Sequence, residues 1–140
     1  MSEQPMSEQQ DIAPLEDYID FASGTVCIID DDPANLLLLE SILVNHGLNV
    51  ITATNKNKAF TAIRTENPDL ILLDIMLSPE TDGYEICKLL KTEEGTQDIP
   101  VIFISSLDQA IDKVKAFQVG GVDYITKPFL TDEIVARVQT

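Results

Sequence analysis

Tryptophan is absent from the chain, cysteine occurs twice, histidine once, and only nine Lys and Arg stand against 24 Asp and Glu. Cys27 lies in an apolar run and Cys87 in a helical pattern, with no second Cys near either. Neither a disulfide framework nor a thiolate metal site is therefore expected, and both thiols read as buried and inert. The single His46 sits at a helix end among apolar and small residues, which leaves no ligand set for zinc and makes it a surface or capping residue. The formal net charge of −15 sets the chain against direct contact with nucleic acid or an anionic membrane, because a polyanion is repelled over most of such a surface. No apolar stretch approaches the roughly 18 residues a membrane span needs. Met1-Ser2-Glu3-Gln4-Pro5 offers neither a basic start nor an apolar run, so no secretory signal is expected and the protein reads as soluble and cytoplasmic. No Gly-rich loop follows any strand candidate, which removes the usual nucleotide cradle.

At 140 residues the chain is long enough for one self-sufficient core and too short for two ordinary domains. Residues 1–24 carry Glu3, Glu8, Asp11, Glu16, Asp17 and Asp20 without a Lys or Arg, and read as an acidic tail or linker. Ile12, Leu15, Ile19 and Ala22 recur there at helical spacing, interrupted by Pro14, so docking and disorder both stay open. From Thr25 to Thr140 short apolar runs alternate with longer helical patterns, the signature of a parallel α/β sheet. Strands are expected over 25–29, 48–53, 69–73, 99–104 and 122–126. Helices are expected over about 33–46, 55–66, 82–93 and 108–119, with a fifth from near Asp132. Asp32 and Pro33 suit the first helix start, Gly47 its end, Gly120-Gly121 the end of the fourth, and Thr131 the cap of the fifth. The fifth pattern is still running at Thr140, which suggests a truncated last helix from an excised domain or a longer parent protein.

In open parallel sheets, ligands bind outside the carboxyl ends of the strands. The residues following the strand candidates are Asp30, Asp31 and Asp32, then Asp74, then Ser105 and Ser106, then Lys127 and Pro128. Carboxylates, hydroxyl and amine thus converge on one edge. Carboxylates sharing a cleft repel one another unless a cation is present, and a hard divalent ion of the Mg²⁺ type, bound through one or two carboxylates plus a phosphate, resolves the conflict. Alone, Asp30 to Asp32 would read as a solvated loop with one helix cap, and Asp74 as a turn residue. Taken with Ser105 and Lys127, they read as a site.

These stretches, Val26 to Pro33, Asp69 to Asp74, Asp82-Gly83-Tyr84-Glu85, Pro100 to Ser105 and Asp123 to Phe129, resemble the response regulator receiver family in motif, spacing and order over nearly all of residues 25–138. The resemblance implies a flavodoxin-like (βα)5 fold whose five-stranded parallel sheet runs in the order 2-1-3-4-5, with helices on both faces. It also implies a part in a two-component phosphorelay. Asp74 would be the phosphoacceptor, supplied by a histidine kinase or phosphotransfer protein. Mg²⁺ would be held by Asp30, Asp31, Asp74 and the backbone carbonyl of Met76. Ser105 and Lys127 would bind phosphoryl oxygens, and Lys127-Pro128 would be a cis peptide. Ser105 and Tyr124 would act as the switch pair, remodelling the face of the fourth helix, fifth strand and fifth helix toward an output domain, a partner protein or, as in many members, a homodimer. Stand-alone regulators and hybrid kinases share this core, and both stay open.

One departure stands out. Many members place proline four residues and glycine eight residues after the acceptor, whereas here Ser78 holds the first position, and Pro79 and Gly83 come one residue late. The apolar Met76 and Leu107 flank the acceptor where polar groups could orient water, so slow self-dephosphorylation is expected. Two rival readings fit the sequence less well. A phosphatase similar to the haloacid dehalogenase type needs a second acid two residues after its nucleophile, and position 76 is Met. A non-phosphorylated, receiver-like interaction module would not need the intact acids and lysine.

Overall fold

The computed structural model describes residues 24–78, 80–105, 112–127 and 129–139. The acidic segment 1–23, Pro79, Ser106, Leu107 and Pro128 lie outside the described residues, and with them the tail and the expected cis bond. Twelve elements follow in order: β1 (Thr25–Ile29), α1 (Pro33–Asn45), β2 (Asn49–Ala53), α2 (Lys56–Glu66), β3 (Leu70–Asp74), β4 (Met76–Ser78), β5 (Thr81–Asp82), α3 (Gly83–Thr92), β6 (Val101–Ser105), α4 (Lys113–Gln118), β7 (Asp123–Thr126) and α5 (Thr131–Gln139).

Five strands form one parallel sheet in the order β2-β1-β3-β6-β7. This is the expected flavodoxin-like order, because β4 and β5 pair only with each other. Side chains alternate across a strand. Cys27 and Ile29 of β1 accordingly join a core with α2, α3 and α4, while Val26 and Ile28 join the opposite core with α1 and α5. Helices on both faces are why the central strands read as unbroken apolar runs rather than as alternating ones. Both cysteines are buried as expected, and burial pushes the Cys27 thiol up to about 12 and the Cys87 thiol up to about 11.

Local chemistry sets the element ends. Asp32 caps α1 by accepting from the Ala34 N–H at 3.0 Å, with Pro33 in the first turn. At the other end His46 Nδ1 lies 2.8 Å from the Ile42 carbonyl, and Gly47 adopts the left-handed φ of 87° that ends the helix. Gly120 does the same after α4 with φ 105°.

Three expectations need correction. Asp74 and Ser105 are the last residues of their strands rather than the first beyond them, because the ladder runs one residue further. The Ile75 N–H donates to the Ile104 carbonyl at 3.0 Å and the Lys127 N–H to the Ser105 carbonyl at 2.7 Å. Asp112, expected inside the fourth helix, caps it instead, accepting from the Lys115 N–H at 3.0 Å, so the described α4 runs from Lys113, and the expected start near 108 falls outside the described residues. Finally, the stretch after Asp74, expected as a lengthened loop, contains the antiparallel β4-β5 hairpin, with a register shift between Met76 and Ser78.

Candidate functional site

The carboxyl edge of the sheet gathers the expected side chains. Asp30 follows β1 directly, Asp74 ends β3, Ser105 ends β6 and Lys127 follows β7. Asp30 is fully buried, while Asp74 and Ser105 keep only 3% and 1% of their surface. Three buried polar groups at the ends of apolar strands are expensive unless something uses them. Asp31 is exposed at the mouth of the cluster.

Carboxylate oxygens of Asp30, Asp31 and Asp74 lie within 4.8 Å of one another. Asp30 Oδ1 accepts from the Asp32 N–H at 2.9 Å, which orients the group. Its other oxygen, Oδ2, is buried with no hydrogen-bond partner among the described residues, and Lys127 Nζ stands 3.4 Å from it. Asp74 Oδ1 accepts from the Met76 N–H at 3.1 Å.

The electrostatics follow from this crowding. Burial pushes the Asp74 carboxyl up to about 7. The Met76 N–H and the Lys127 ammonium oppose that rise, and the charge of Asp30 adds to it. Asp31 is also raised, by desolvation first and Asp30 second. A hard divalent cation fits here on the structure's own terms. The donor set is all oxygen, one buried oxygen lacks a hydrogen-bond partner among the described residues, and the Asp74 carboxylate, disfavoured by burial first and by Asp30 after it, would be stabilised by a cation.

Tyr124 lies half-buried in β7, with Lys113 Nζ 5.2 Å above its ring. Met76, two residues after Asp74, is 48% exposed. Two features of the site escape a reading of the sequence. The Gly83 N–H donates to the Ile75 carbonyl at 2.8 Å, and a Cβ at this position would overlap the Asp74 carbonyl oxygen, so only glycine lets the hairpin close against the end of β3. The Tyr84 hydroxyl accepts from the Asp112 N–H at 3.0 Å, linking α3 to the start of α4. The Asp-Gly-Tyr triplet is the only sequence signal of either.

No helix among the described residues is long and apolar enough to cross a membrane. The model of the response regulator receiver domain matches residues 26–139. The chain is 42% identical over 114 residues to the DNA-binding dual master transcriptional regulator RpaA of Synechocystis, an alignment covering 81% of this chain and 47% of that protein. It is 39% identical to the alkaline phosphatase synthesis transcriptional regulatory protein PhoP of Bacillus subtilis, over 81% of this chain and 46% of the relative. It therefore spans about half the length of these curated relatives. Among solved structures, the BeF3-activated N-terminal receiver domain of Klebsiella pneumoniae RstA superposes with a TM-score of 0.73 at 30% identity, covering 83% of this chain and 96% of that one. With sheet order, acidic edge and family model in agreement, the chain belongs to the response regulator receiver domain family, the receiver part of two-component signalling.

Proposed function

We propose that Asp74 is the phosphoacceptor of this receiver, taking a phosphoryl group from a phosphohistidine on a kinase or phosphotransfer protein. The observation that carries the reading is the buried Asp74 carboxyl at a strand end, with Asp30, Asp31 and Lys127 around it. In the transfer an Asp74 oxygen forms a bond to phosphorus as the donor's N–P bond breaks, and the leaving imidazole regains a proton. Asp30, Asp31, Asp74 and the Met76 carbonyl are the groups that would hold Mg²⁺. When bound, the ion neutralises charge that develops on the phosphoryl oxygens. Lys127 pairs with one of those oxygens as a point charge, exchanging part of its attraction to Asp30, and the Ser105 hydroxyl donates to another. The Met76 N–H orients the acceptor carboxyl. RstA's receiver domain, described as BeF3-activated, supports the same site chemistry here.

Two surfaces suit the partners this reading requires. Leu37, Leu38 and Val44 stand exposed on α1, which starts three residues after Asp30, as an apolar face for a donor protein. Val114, Phe117, Val122 and Leu130 are exposed around α4, β7 and α5, the face through which Ser105 and Tyr124 would relay the switch to an output domain, a partner or a second copy. A group gaining nearly two negative charges beside a two-state element shifts its populations with a few kcal/mol.

The test is the intact mass of wild type and Asp74→Ala after incubation with Mg²⁺ and acetyl phosphate. One phosphoryl adduct on wild type, absent from the variant and absent without Mg²⁺, is the expected result. A folded wild type that stays unmodified both here and with a phosphorylated histidine donor would replace this reading with the constitutive interaction module.

A further inference from the structure

Tyr84 touches both the acceptor loop and α4. It is the second residue of α3 and is 8% exposed. Its backbone N–H donates to Asp82 Oδ1 at 2.8 Å, and the preceding Gly83 N–H holds the Ile75 carbonyl, so the residue's main chain is fastened to the loop that follows Asp74. Its ring packs on Phe103 of β6, with centroids 5.1 Å apart at 53°. Phe103 pairs in register with Leu73, the neighbour of Asp74. The hydroxyl reaches the other way, to the Asp112 N–H at 3.0 Å, at the residue that caps α4. Lys115 closes the arrangement from outside. Its ammonium lies 5.0 Å over the Tyr84 ring and 3.7 Å from Asp82 Oδ2.

Packing alone does not require that hydroxyl, because phenylalanine would fill the same space against Phe103. What the oxygen adds is one directional bond to the capping residue of a six-residue helix, too short to be stable by itself. We propose that Tyr84 is a positioning residue that ties the start of α4 to the acceptor loop, so that a change at Asp74 is transmitted to α4 through the phenol. This rests on reading Asp74 as the acceptor. The route runs along the β4-β5 side of the site and enters α4 at its cap, and it meets the Ser105 and Tyr124 path at Phe103, which pairs in register with Tyr124.

The experiment is amide hydrogen exchange on the whole chain, wild type against Tyr84→Phe, followed at residues 112–118 and at α1 as internal control. Without phosphodonor, the variant is expected to exchange about fivefold faster at 112–118, the effect of one lost neutral hydrogen bond, with α1 unchanged. After phosphorylation by acetyl phosphate and Mg²⁺, monitored by intact mass, the exchange response at 112–118 is expected to be smaller in the variant at equal phosphoryl occupancy. Identical exchange in the two unmodified proteins, equal acceleration in α1, or an undiminished response to phosphorylation would each overturn the proposal. If neither protein gains a phosphoryl mass from acetyl phosphate or from a phosphorylated histidine donor, the acceptor reading fails instead, and the comparison of unmodified proteins still decides whether the phenol holds α4.

Discussion

Replacing Asp74 with asparagine should stabilise the metal-free protein, although it destroys the proposed acceptor. The carboxyl is 3% exposed, and burial, with Asp30 beside it, raises it from 3.8 to about 7. A folded-state value above the unfolded one means that the folded protein binds the proton more tightly. The stability linked to this group is fully present below about pH 4 and is lost as pH rises through about 7. Above both values the loss is at most ~4 kcal/mol. Asparagine keeps an Oδ1 for the Met76 N–H and carries no charge, but its amide must still be desolvated, so about half of this, ~2 kcal/mol, should be recovered. For a domain of this size that corresponds to about 8 °C in Tm. The assay is thermal or urea unfolding of both proteins in chelator from pH 4 to 8. The variant should be the less stable of the two at pH 4, by ~2 kcal/mol, and the order should reverse as pH rises through about 7, leaving it ~2 kcal/mol ahead at pH 8. With Mg²⁺ in hundredfold excess over its Kd, wild type should gain ~2.7 kcal/mol and the variant less. A variant no more stable than wild type at pH 8 without divalent ions would refute the reasoning.

Three further outcomes are expected. Lys127→Met leaves Asp30 Oδ2 buried without the cation now 3.4 Å away, costing ~3 kcal/mol in chelator; Mg²⁺ should restore part of it, and urea midpoints unchanged by the substitution would contradict the ion pair. Gly83→Ala drives a Cβ into the Asp74 carbonyl and should cost ~2–4 kcal/mol, because backbone yields less than a side chain; urea unfolding that matches wild type would disprove the close approach. With exposed, apolar Met76 beside the acceptor, phosphorylated protein freed of donor should keep its adduct for many minutes by intact mass, and decay within seconds would count against a site unable to orient water.

The sheet was the most legible part of this molecule, because each central strand is covered on both faces and so appears as a continuous apolar run, as in Leu70 to Leu73. The convergence of Asp30, Asp31, Asp74 and Lys127 followed from the rule that chemistry collects at the carboxyl ends of such strands. Strand ends were harder by one residue, since a hydrogen-bonded ladder can include a polar residue that composition assigns to a turn. Asp74 and Ser105 are both of this kind. The β4-β5 hairpin left no periodic trace, because five residues of mixed polarity do not make a pattern. Asp112 was read as helical because the residues around it keep helical spacing, whereas its side chain makes the capping bond from which the described α4 runs. The orphaned oxygen of Asp30 and the reach of Tyr84 depend on side-chain direction in three dimensions, which spacing along the chain does not encode.

That Asp74 and Ser105 belong to the ladder bears on how this protein tolerates change. Neighbouring strands keep a separation of about 4.8 Å regardless of what connects them. The two residues are therefore mounted on a common ruler, and the β4-β5 hairpin lies off it. Length can be added to or removed from such connections, and helix surfaces exchanged to suit a new correspondent, while the spacing between the Asp74 carboxyl and the Ser105 hydroxyl stays as the sheet sets it. A receiver built this way can be addressed anew by editing its periphery, with its chemistry carried over intact.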